Sequence, residues 1–193
     1  MRLARRCGPV SLLATMLVVG ACVSKPESPY VGTAEAARSP AEAERLTKEA
    51  VAIIDTEPAR AEELFRRALA ADLYHAPAHN NLGTLLLRRG KLYEAAGEFE
   101  WAKRLMPGHP DPRMNLALTL EIAGRNEEAI DTYRTALEVY PDHIATMQAL
   151  TRLQVRTSKT DAETQRMLSE IALRGESSEW REWAKRQSLL LRQ

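Results

Sequence analysis

The chain has 193 residues, of which 27 are basic and 26 are acidic, so its formal net charge is +1. The two signs are interspersed, and no basic patch of the kind that nucleic-acid-binding domains use is present. Its two cysteines, Cys7 and Cys22, are too few for the disulfide framework of a small secreted domain.

The N-terminal segment 1–21 has the layout of a protein-export signal. Three of the first six residues are arginines, and residues 10–21 form an apolar run broken only by Ser11 and Thr15. The run is too short to span a bilayer, which takes about 20 apolar residues. A positive start followed by a short apolar run predicts a cleaved signal peptide over residues 1–21.

Cys22 follows Val19-Gly20-Ala21, and these four residues resemble the lipobox of bacterial lipoproteins, in which an aliphatic residue and two small residues precede a cysteine. The resemblance implies cleavage before Cys22, a diacylglycerol on its sulfur and a further acyl chain on its new amino group. Several acyl chains would hold the protein stably on a membrane. An ordinary signal peptide with an incidental cysteine is the alternative. Val23 stands where an aspartate resembles an inner-membrane retention signal, so the resemblance favours the outer membrane, facing the periplasm.

Loss of the signal changes both the charge and the cysteine content. It removes Cys7 and three of the 27 basic residues, so 24 basic residues remain against 26 acidic ones, a net charge of −2. With Cys22 acylated, no disulfide can form even in an oxidising compartment.

Residues 22–38 are predicted to be the lipidated cysteine followed by a flexible tether. Pro26 and Pro29 lie among Ser, Gly and Thr, and residues 24–38 show no helical period. Such a tether would let the folded part of the protein stand off the membrane.

Helices are predicted from Ser39 onwards. Ser39-Pro40-Ala41-Glu42 has the pattern of a capping box with proline at the first helical position. The predicted helices cover residues 40–55, 57–71, 76–89, 91–105, 111–123, 126–139, 143–157, 161–174 and 178–192. Further helix caps are predicted at Asp111, Asn126 and Asp142, at Thr160 with Glu163 as a second capping box, and at Gly175 as the end of the eighth helix.

Two consecutive segments of equal length, 76–109 and 110–143, carry related residues at the same places. The first contains His79-Asn80-Asn81-Leu82-Gly83, Gly90, Ala95, Phe99, Ala102 and Pro107, and the second contains Arg113-Met114-Asn115-Leu116-Ala117, Gly124, Ala129, Tyr133, Ala136 and Pro141. A small-large-small pattern that recurs with a period of about 34 residues predicts an array of helix-turn-helix repeats. Gly90 and Gly124 are placed where a helix ends in left-handed backbone.

This pattern resembles the tetratricopeptide repeat (TPR), whose template is W-x2-L-G-x2-Y, then A-x3-F and a closing P. His79 stands in the Trp place, Leu86 and Leu120 stand in the Tyr place, and Ala117 replaces Gly. The resemblance implies an all-α, right-handed solenoid of helix-turn-helix hairpins. It also implies that the first helix of each hairpin lines a concave face and that the protein carries no reaction chemistry.

Weaker repeats flank the two clear ones. They are expected, because three or more repeats are needed to bury a continuous core. In 42–75, Ala61, Phe65 and Ala68 align with the pattern, but the first helix is one residue short of register. In 144–177 the apolar positions are kept without the Gly and Ala residues, which predicts a degenerate terminal repeat; these positions are Met147, Leu150, Met167 and Ile171. The repeats thus extend over residues 39–177.

Residues 178–193 are predicted to form a capping helix that covers the open end of the core. Its apolar stripe contains Trp180, Trp183, Ala184, Gln187 and Leu190 or Leu191. Two alternatives remain for the tryptophans: an exposed aromatic docking site, or packing between chains in a structural homo-oligomer.

Asn81 and Asn115 are the first candidates for partner binding. Both occupy the sixth position of their repeat, where the resemblance implies an asparagine that holds the backbone of an extended peptide. An amide offers both a donor and an acceptor, so it can pair with a peptide group without reading the side chain. The alternative is a surface asparagine that merely suits the family's common Asn-Leu-Gly sequence.

Arg88, Arg152 and Arg156 are candidate cations on the same predicted face. The planar guanidinium suits a carboxylate, so these residues could bind an acidic peptide or a C-terminal carboxylate. The resemblance to the carboxylate-clamp subset of TPRs is partial because its Lys and Asn set does not recur. Glu121 interrupts any uniformly basic surface, and a solvated charged face is the alternative.

His75, His109 and His143 stand at the same place in successive repeats and raise the possibility of a metal site. Equivalent atoms of stacked repeats lie about 15–20 Å apart, given helices about 10 Å wide, whereas one ion needs each nitrogen at about 2.0–2.1 Å. These histidines are therefore predicted to be loop residues. No nucleophile, metal-binding or phosphate-binding motif is present.

The sequence thus predicts a non-catalytic protein without cofactor, metal or small-molecule substrate. Its predicted role is an adaptor or scaffold at the bacterial envelope that binds a partner protein or peptide in a concave groove. Resemblance to TPR lipoproteins suggests a part in pilus or secretion assembly, or in the regulation of a cell-wall enzyme.

Overall fold

The computed structural model describes residues 38–191, and within them it contains nine α-helices and no strand. The helices are α1 (Pro40–Ile53), α2 (Pro58–Ala71), α3 (Ala76–Arg88), α4 (Leu92–Leu105), α5 (Asp111–Ile122), α6 (Asn126–Val139), α7 (Ile144–Arg156), α8 (Ala162–Arg174) and α9 (Ser178–Leu190). Each lies within two residues of its predicted bounds. The predicted signal peptide, Cys22 and all of the tether except Arg38 lie outside the described residues. Of the helices described, none has the length and apolar character that crossing a bilayer requires.

The helices stack as a solenoid of four hairpins. The pairs α1/α2, α3/α4, α5/α6 and α7/α8 pack together, and each second helix also packs on the first helix of the next hairpin. The first helices α1, α3, α5 and α7 contact each other in a row, whereas the second helices described here make no comparable contacts. Because elements on the inside of a bend lie closer together than those outside, the first helices form the inner face. The last helix, α9, packs on α8 and ends the stack.

The core of the solenoid is a ladder of equivalent side chains. Phe65, Phe99 and Tyr133 are fully buried at the same place in successive repeats. In the last repeat, Leu168 takes this place, one residue later than the period requires. The turn between α7 and α8, residues 157–161, is two residues longer than the three-residue turns after α3 and α5. The buried positions of α8 begin one residue closer to its N-terminus than those of α4 and α6, so the net shift is one residue.

Small residues on the first helix allow the two helices of a hairpin to approach. A Cβ atom on Gly83 would lie only 2.8 Å from Cε1 of Phe99, whose ring is fully buried. Ala117 takes the same place in the next repeat, opposite Tyr133, and both are fully buried. The predicted close approach within hairpins is therefore confirmed.

The turn after each of the inner helices α3, α5 and α7 needs left-handed backbone. Gly90 and Gly124 have φ angles of +73° and +77°. Ser158, at the same place in the next repeat, has a φ of +56° and is the one non-glycine residue with positive φ among those described. The degenerate repeat therefore keeps the turn conformation although it has lost the glycine.

Several predicted helix caps are wrong. The Ser39 side chain makes no capping hydrogen bond, and neither do the predicted caps Asp111, Asn126 and Asp142. At the start of α5, Nδ1 of His109 accepts from the Asp111 amide at 3.4 Å instead. The second capping box lies one residue later than predicted, since Asp161 accepts from the Thr164 amide and Thr164 accepts from the Asp161 amide. Gly175 does follow α8, but its φ of −52° is not left-handed.

Two register predictions also need correction. The buried residues Ala43, Leu46, Thr47 and Ala50 of α1 correspond to His79, Leu82, Gly83 and Leu86 of α3, so α1 is two residues out of register, not one. In α9 the predicted stripe ends early. Ala184 is buried and the two tryptophans are half-buried, but Leu190 and Leu191 are exposed.

Gly83→Ala should destabilise the fold because the new methyl group would press on the Phe99 ring, which has no room to move. We expect the free energy of unfolding to fall by about 1–2 kcal/mol, within the range for overpacked cores. Gly97→Ala is the matched control, since this exposed helical glycine has no atom within 4 Å of its missing Cβ. That change should stabilise α4 by about 0.5–1 kcal/mol. Urea unfolding measures both, and equal effects of the two changes would contradict the packing described.

Asp161→Ala should remove the capping box of α8 and lower the free energy of unfolding by about 1 kcal/mol at pH 7. Burial acts to raise the pKa of Asp161, but hydrogen bonds from Thr164 and the charge of Arg134 outweigh it and hold that pKa below its usual value. The stabilisation is therefore present above about pH 4 and is lost as the pH falls through the pKa of the folded state. Ser39→Ala is the control and should change little at either pH. Thermal unfolding at pH 7 and at acidic pH would show the difference.

Candidate functional site

The inner face offers uncharged polar side chains at its centre. Asn80, Asn81 and Thr84 lie on α3, and Asn115 lies on α5; all four are half-buried. We call the surface formed by the outward side chains of α3, α5 and α7 on this face the inner groove. An uncharged polar centre favours ligands that carry peptide groups over ligands that carry a strong charge.

The two predicted asparagines have different surroundings. Nδ2 of Asn115 donates to Oδ1 of Asn80, 3.1 Å away in the preceding repeat. Asn81 makes no side-chain hydrogen bond to any residue between 38 and 191. The side-chain Oδ1 of Asn115 and the whole side-chain amide of Asn81 are therefore available to a ligand. Asn80 was not singled out from the sequence, although its place directly before Asn81 and one repeat ahead of Asn115 was a usable signal.

Arg152 and Arg156 meet at one carboxylate. Arg156 lies 3.0 Å and Arg152 lies 3.5 Å from the same oxygen of Glu121, whose side chain is only 7% exposed. The other oxygen of Glu121 accepts from the Tyr133 hydroxyl at 3.2 Å. Burial, together with this carboxylate, raises the pKa of Tyr133, which keeps its hydroxyl a donor. Two guanidinium groups thus share the single carboxylate of Glu121 at the α7 end of the inner groove.

Arg88 lies apart from the other two arginines. Its Nη1 atom is 2.8 Å from Oδ1 of Asp55, at the end of α1, so its charge is already paired. The structure therefore does not gather the five predicted site residues into one cluster. It places one paired arginine towards α1, the asparagines in the middle and the arginine pair towards α9.

An aromatic cleft adjoins this arginine pair. It has a volume of about 240 Å³ and is lined by Arg152, Glu179, Trp180 and Trp183. The two indole rings are half-buried and meet edge to face, with centroids 5.3 Å apart. The cleft that Arg152 of α7 shares with the tryptophans could not be read from the repeat pattern because α9 lies outside that pattern.

The three histidines of the predicted ladder have separate local partners. Nδ1 of His143 is 2.7 Å from the Thr146 hydroxyl, His75 lies 3.5 Å from Glu44, and His109 lies 3.6 Å from Asp111. Among residues 38–191 there is no group of three or more His, Cys, Asp or Glu side chains that could hold a metal ion. Within the described part of the chain, the polar and cationic groups of the inner groove are therefore not accompanied by a cluster of metal ligands.

Comparisons with known proteins agree with this architecture. A family model described as tetratricopeptide repeat matches residues 55–110 and 83–144. Tetratricopeptide repeat protein 8 of Mus musculus is 30% identical over 105 residues, which make up 54% of this chain and 20% of that protein. The human protein O-mannosyl-transferase TMTC2 is 36% identical over 83 residues, or 39% of this chain and 10% of that protein. The matched segments thus span no more than about a fifth of these relatives.

Solved structures show the same fold. A tetratricopeptide repeat protein from Parabacteroides merdae has a TM-score of 0.65 at 22% identity, with 75% of this chain and 58% of that chain covered. The first TPR of Spaghetti (RPAP3), bound to the HSP90 peptide SRMEEVD, has a TM-score of 0.60 at 16% identity, with 63% and 97% covered. Residues 55–144 are therefore tetratricopeptide repeats, and the described chain folds as a TPR solenoid that ends in a capping helix.

Proposed function

We propose that this protein is a non-catalytic adaptor or scaffold of the bacterial envelope, which holds an extended segment of a partner protein in its inner groove. The observation that carries the proposal is the row of amide and hydroxyl groups in the middle of the groove, of which Asn81 is without a protein partner among the described residues. A buried peptide group needs such partners, because an unsatisfied one costs about 1–3 kcal/mol. The TPR fold is suited to protein–protein interaction, which supports this assignment.

The charge of the inner groove suggests the chemistry of the bound segment. Arg152 and Arg156 share the single negative charge of Glu121, so their remaining N–H donors can take a carboxylate of the partner. The RPAP3 repeat holds a peptide with acidic residues, SRMEEVD, which supports an acidic segment as the type of ligand. In our proposal the amides of Asn81 and Asn115 bind the peptide backbone, and the arginine pair binds an acidic group near α9.

The proposed location rests on the N-terminal sequence. Three arginines, a short apolar run and Val19-Gly20-Ala21-Cys22 together favour a lipid anchor on Cys22. We place the protein at the outer membrane, facing the periplasm, with residues 39–193 extending from the anchor on the tether. Within the envelope, the role proposed is assembly of a pilus or secretion complex, or scaffolding of a cell-wall enzyme.

Replacing both groove asparagines should weaken partner binding without unfolding the protein. For Asn81→Ala/Asn115→Ala we expect the amount of partner crosslinked in membranes to fall about tenfold or more, as the loss of two peptide hydrogen bonds implies. Asn126→Ala, at the start of α6 and away from the groove, is the matched control and should keep full capture. Quantitative mass spectrometry of the crosslinked material measures both. Full capture by the double variant would place the site on another face.

Cys22→Ser should release the protein from the membrane, because the acyl chains would have no sulfur to join. Cys7→Ser removes a cysteine of the predicted signal peptide and should leave the membrane fraction unchanged. Cell fractionation measures the location, and intact-mass spectrometry measures the acyl groups. If the Cys22→Ser protein stayed on the membrane and its mass differed from the wild type only by the exchange of sulfur for oxygen, the lipoprotein assignment would be wrong, whatever the groove binds.

A further inference from the structure

The junction between the first two repeats is filled by a compact cluster around His79. His79 is fully buried, and its Nε2 atom donates to the carbonyl oxygen of Leu73 at 2.8 Å. Its Nδ1 atom lies 2.6 Å from Glu98. The Trp101 ring stacks on the imidazole, with centroids 5.4 Å apart, and the Arg104 guanidinium lies 4.6 Å above the indole. An aromatic ring under a cation thus covers this junction.

The junction between the last two repeats has equivalent positions with different side chains. Pro141 and Met147 stand two repeats after Leu73 and His79. Because α8 is shifted by one residue, Met167 and Glu170 are the equivalents of Glu98 and Trp101, and burial supports this register, since Glu98 and Met167 are both buried. Glu170 therefore occupies the position from which Trp101 covers the first junction.

Without an aromatic cover, this last junction is an open groove between α6 and α8. Its volume is about 520 Å³, within the range of ligand pockets. Its apolar floor consists of Leu137, Pro141, Met147 and Met167. One turn beyond Glu170, Leu173 stands at the position equivalent to Arg104 and is 77% exposed. Leu173 thus adds a second apolar surface next to Glu170, the position at which the first junction has the Trp101 indole.

The middle junction shows that this apolar floor is not a general property of the repeats. There, Arg113 takes the place of His79, and Thr132 and Thr135 take the places of Glu98 and Trp101. The two threonine hydroxyls donate to backbone carbonyl groups of their own helix. A polar junction of this kind offers no apolar floor, whereas the α6–α8 junction has one: Met147 and Met167 form its buried base, at 7% and 5% exposure, and Pro141 is exposed beside them.

The rim of the α6–α8 groove carries more negative than positive charge. Two arginines and three glutamates line it. Arg134 is already paired with Asp161 at 2.8 Å, and Glu170 lies 3.5 Å from Arg174. Glu138 and Arg166 make no ion pair with any residue between 38 and 191. A ligand that enters this groove would bind more tightly if a positive charge lay beside its apolar group, just as the Arg104 guanidinium is attracted to the Trp101 ring.

We propose that the α6–α8 groove is a second docking site, which receives one aromatic side chain of a partner protein with a basic residue next to it. The aromatic ring would lie on Met147 and Met167, whose sulfur atoms suit aromatic contacts, in the place that Trp101 fills in the first junction. The basic neighbour would face Glu138. The site lies on the side of the second helices, so it does not depend on the inner groove and could hold the same partner or another one.

The test uses the full-length protein in detergent micelles with ¹³C-methyl-labelled methionine. The probe is the tripeptide acetyl-Lys-Trp-Lys-amide, added in increasing amounts while the methionine methyl signals are followed by NMR. We expect saturable ring-current shifts of the Met147 and Met167 signals and none for Met106 and Met114, with the four signals assigned from single Met→Leu variants. The same peptide with Ala in place of Trp should give no shifts.

Two variants separate docking in the groove from general adsorption. Glu170→Trp supplies the missing indole from the chain itself and should weaken the peptide's effect by about tenfold or more. Thr135→Trp adds the same ring at the polar junction and should leave the effect unchanged. Equal shifts in both variants, or shifts spread over all methionines, would overturn the proposal. Shifts of Met147 and Met167 that follow protein concentration without peptide would show that a second copy of the chain fills the groove, and this would also overturn it.

Discussion

The contact on which the structure depends is the close approach of the two helices within each hairpin. A small residue on the first helix faces a large side chain on the second: Gly83 faces Phe99, and Ala117 faces Tyr133. The last repeat keeps the sizes and changes the chemistry, since Thr151 and Leu168 are fully buried at the equivalent places. The Thr151 hydroxyl donates to the carbonyl oxygen of Met147, so this buried polar group is satisfied. The packing requirement thus holds even where the repeat signature is lost.

This packing decides which side chains are free to bind a partner. Because the large residues lie between helices, the outward positions of the first helices carry no part of the core and can hold amides and arginines. The inner groove gains its character from these positions: a polar centre around Asn81 and Asn115, and an arginine pair held by Glu121. The junctions between successive repeats, on the side of the second helices, differ from the inner groove because each junction is lined by side chains of its own. The groove between α6 and α8 has an apolar floor that we propose a partner covers.

The repeat period was enough to predict the helices, the two glycine turns and the ladder of buried rings, because these follow from spacing alone. It was not enough to place Leu168, since the longer turn before α8 shifts that helix by one residue out of the period, although the predicted apolar positions Met167 and Ile171 are buried. Serine and aspartate both commonly cap helices, so the sequence predicts a cap at either residue. Only the local backbone geometry decides that Asp161 makes the capping hydrogen bond and that Ser39 does not. The pairing of Arg152 and Arg156 with Glu121 joins adjacent repeats, and its distances follow from the curvature of the stack, which the sequence does not report. The cleft between Arg152 and Trp183 joins a repeat to a helix outside the repeats, so no periodic signal exists for it.

We propose that a partner segment lies along the inner groove. Site-specific photo-crosslinking in intact cells tests it most directly, with a benzophenone amino acid placed at Leu118 on α5, half-buried in the groove, or at Glu63, exposed on α2. If the partner lies in the inner groove, Leu118 should crosslink to one defined protein and Glu63 should give no crosslink. Crosslinks from Glu63 with none from Leu118 would show that the partner binds the second helices, and the inner groove would then not be the binding site.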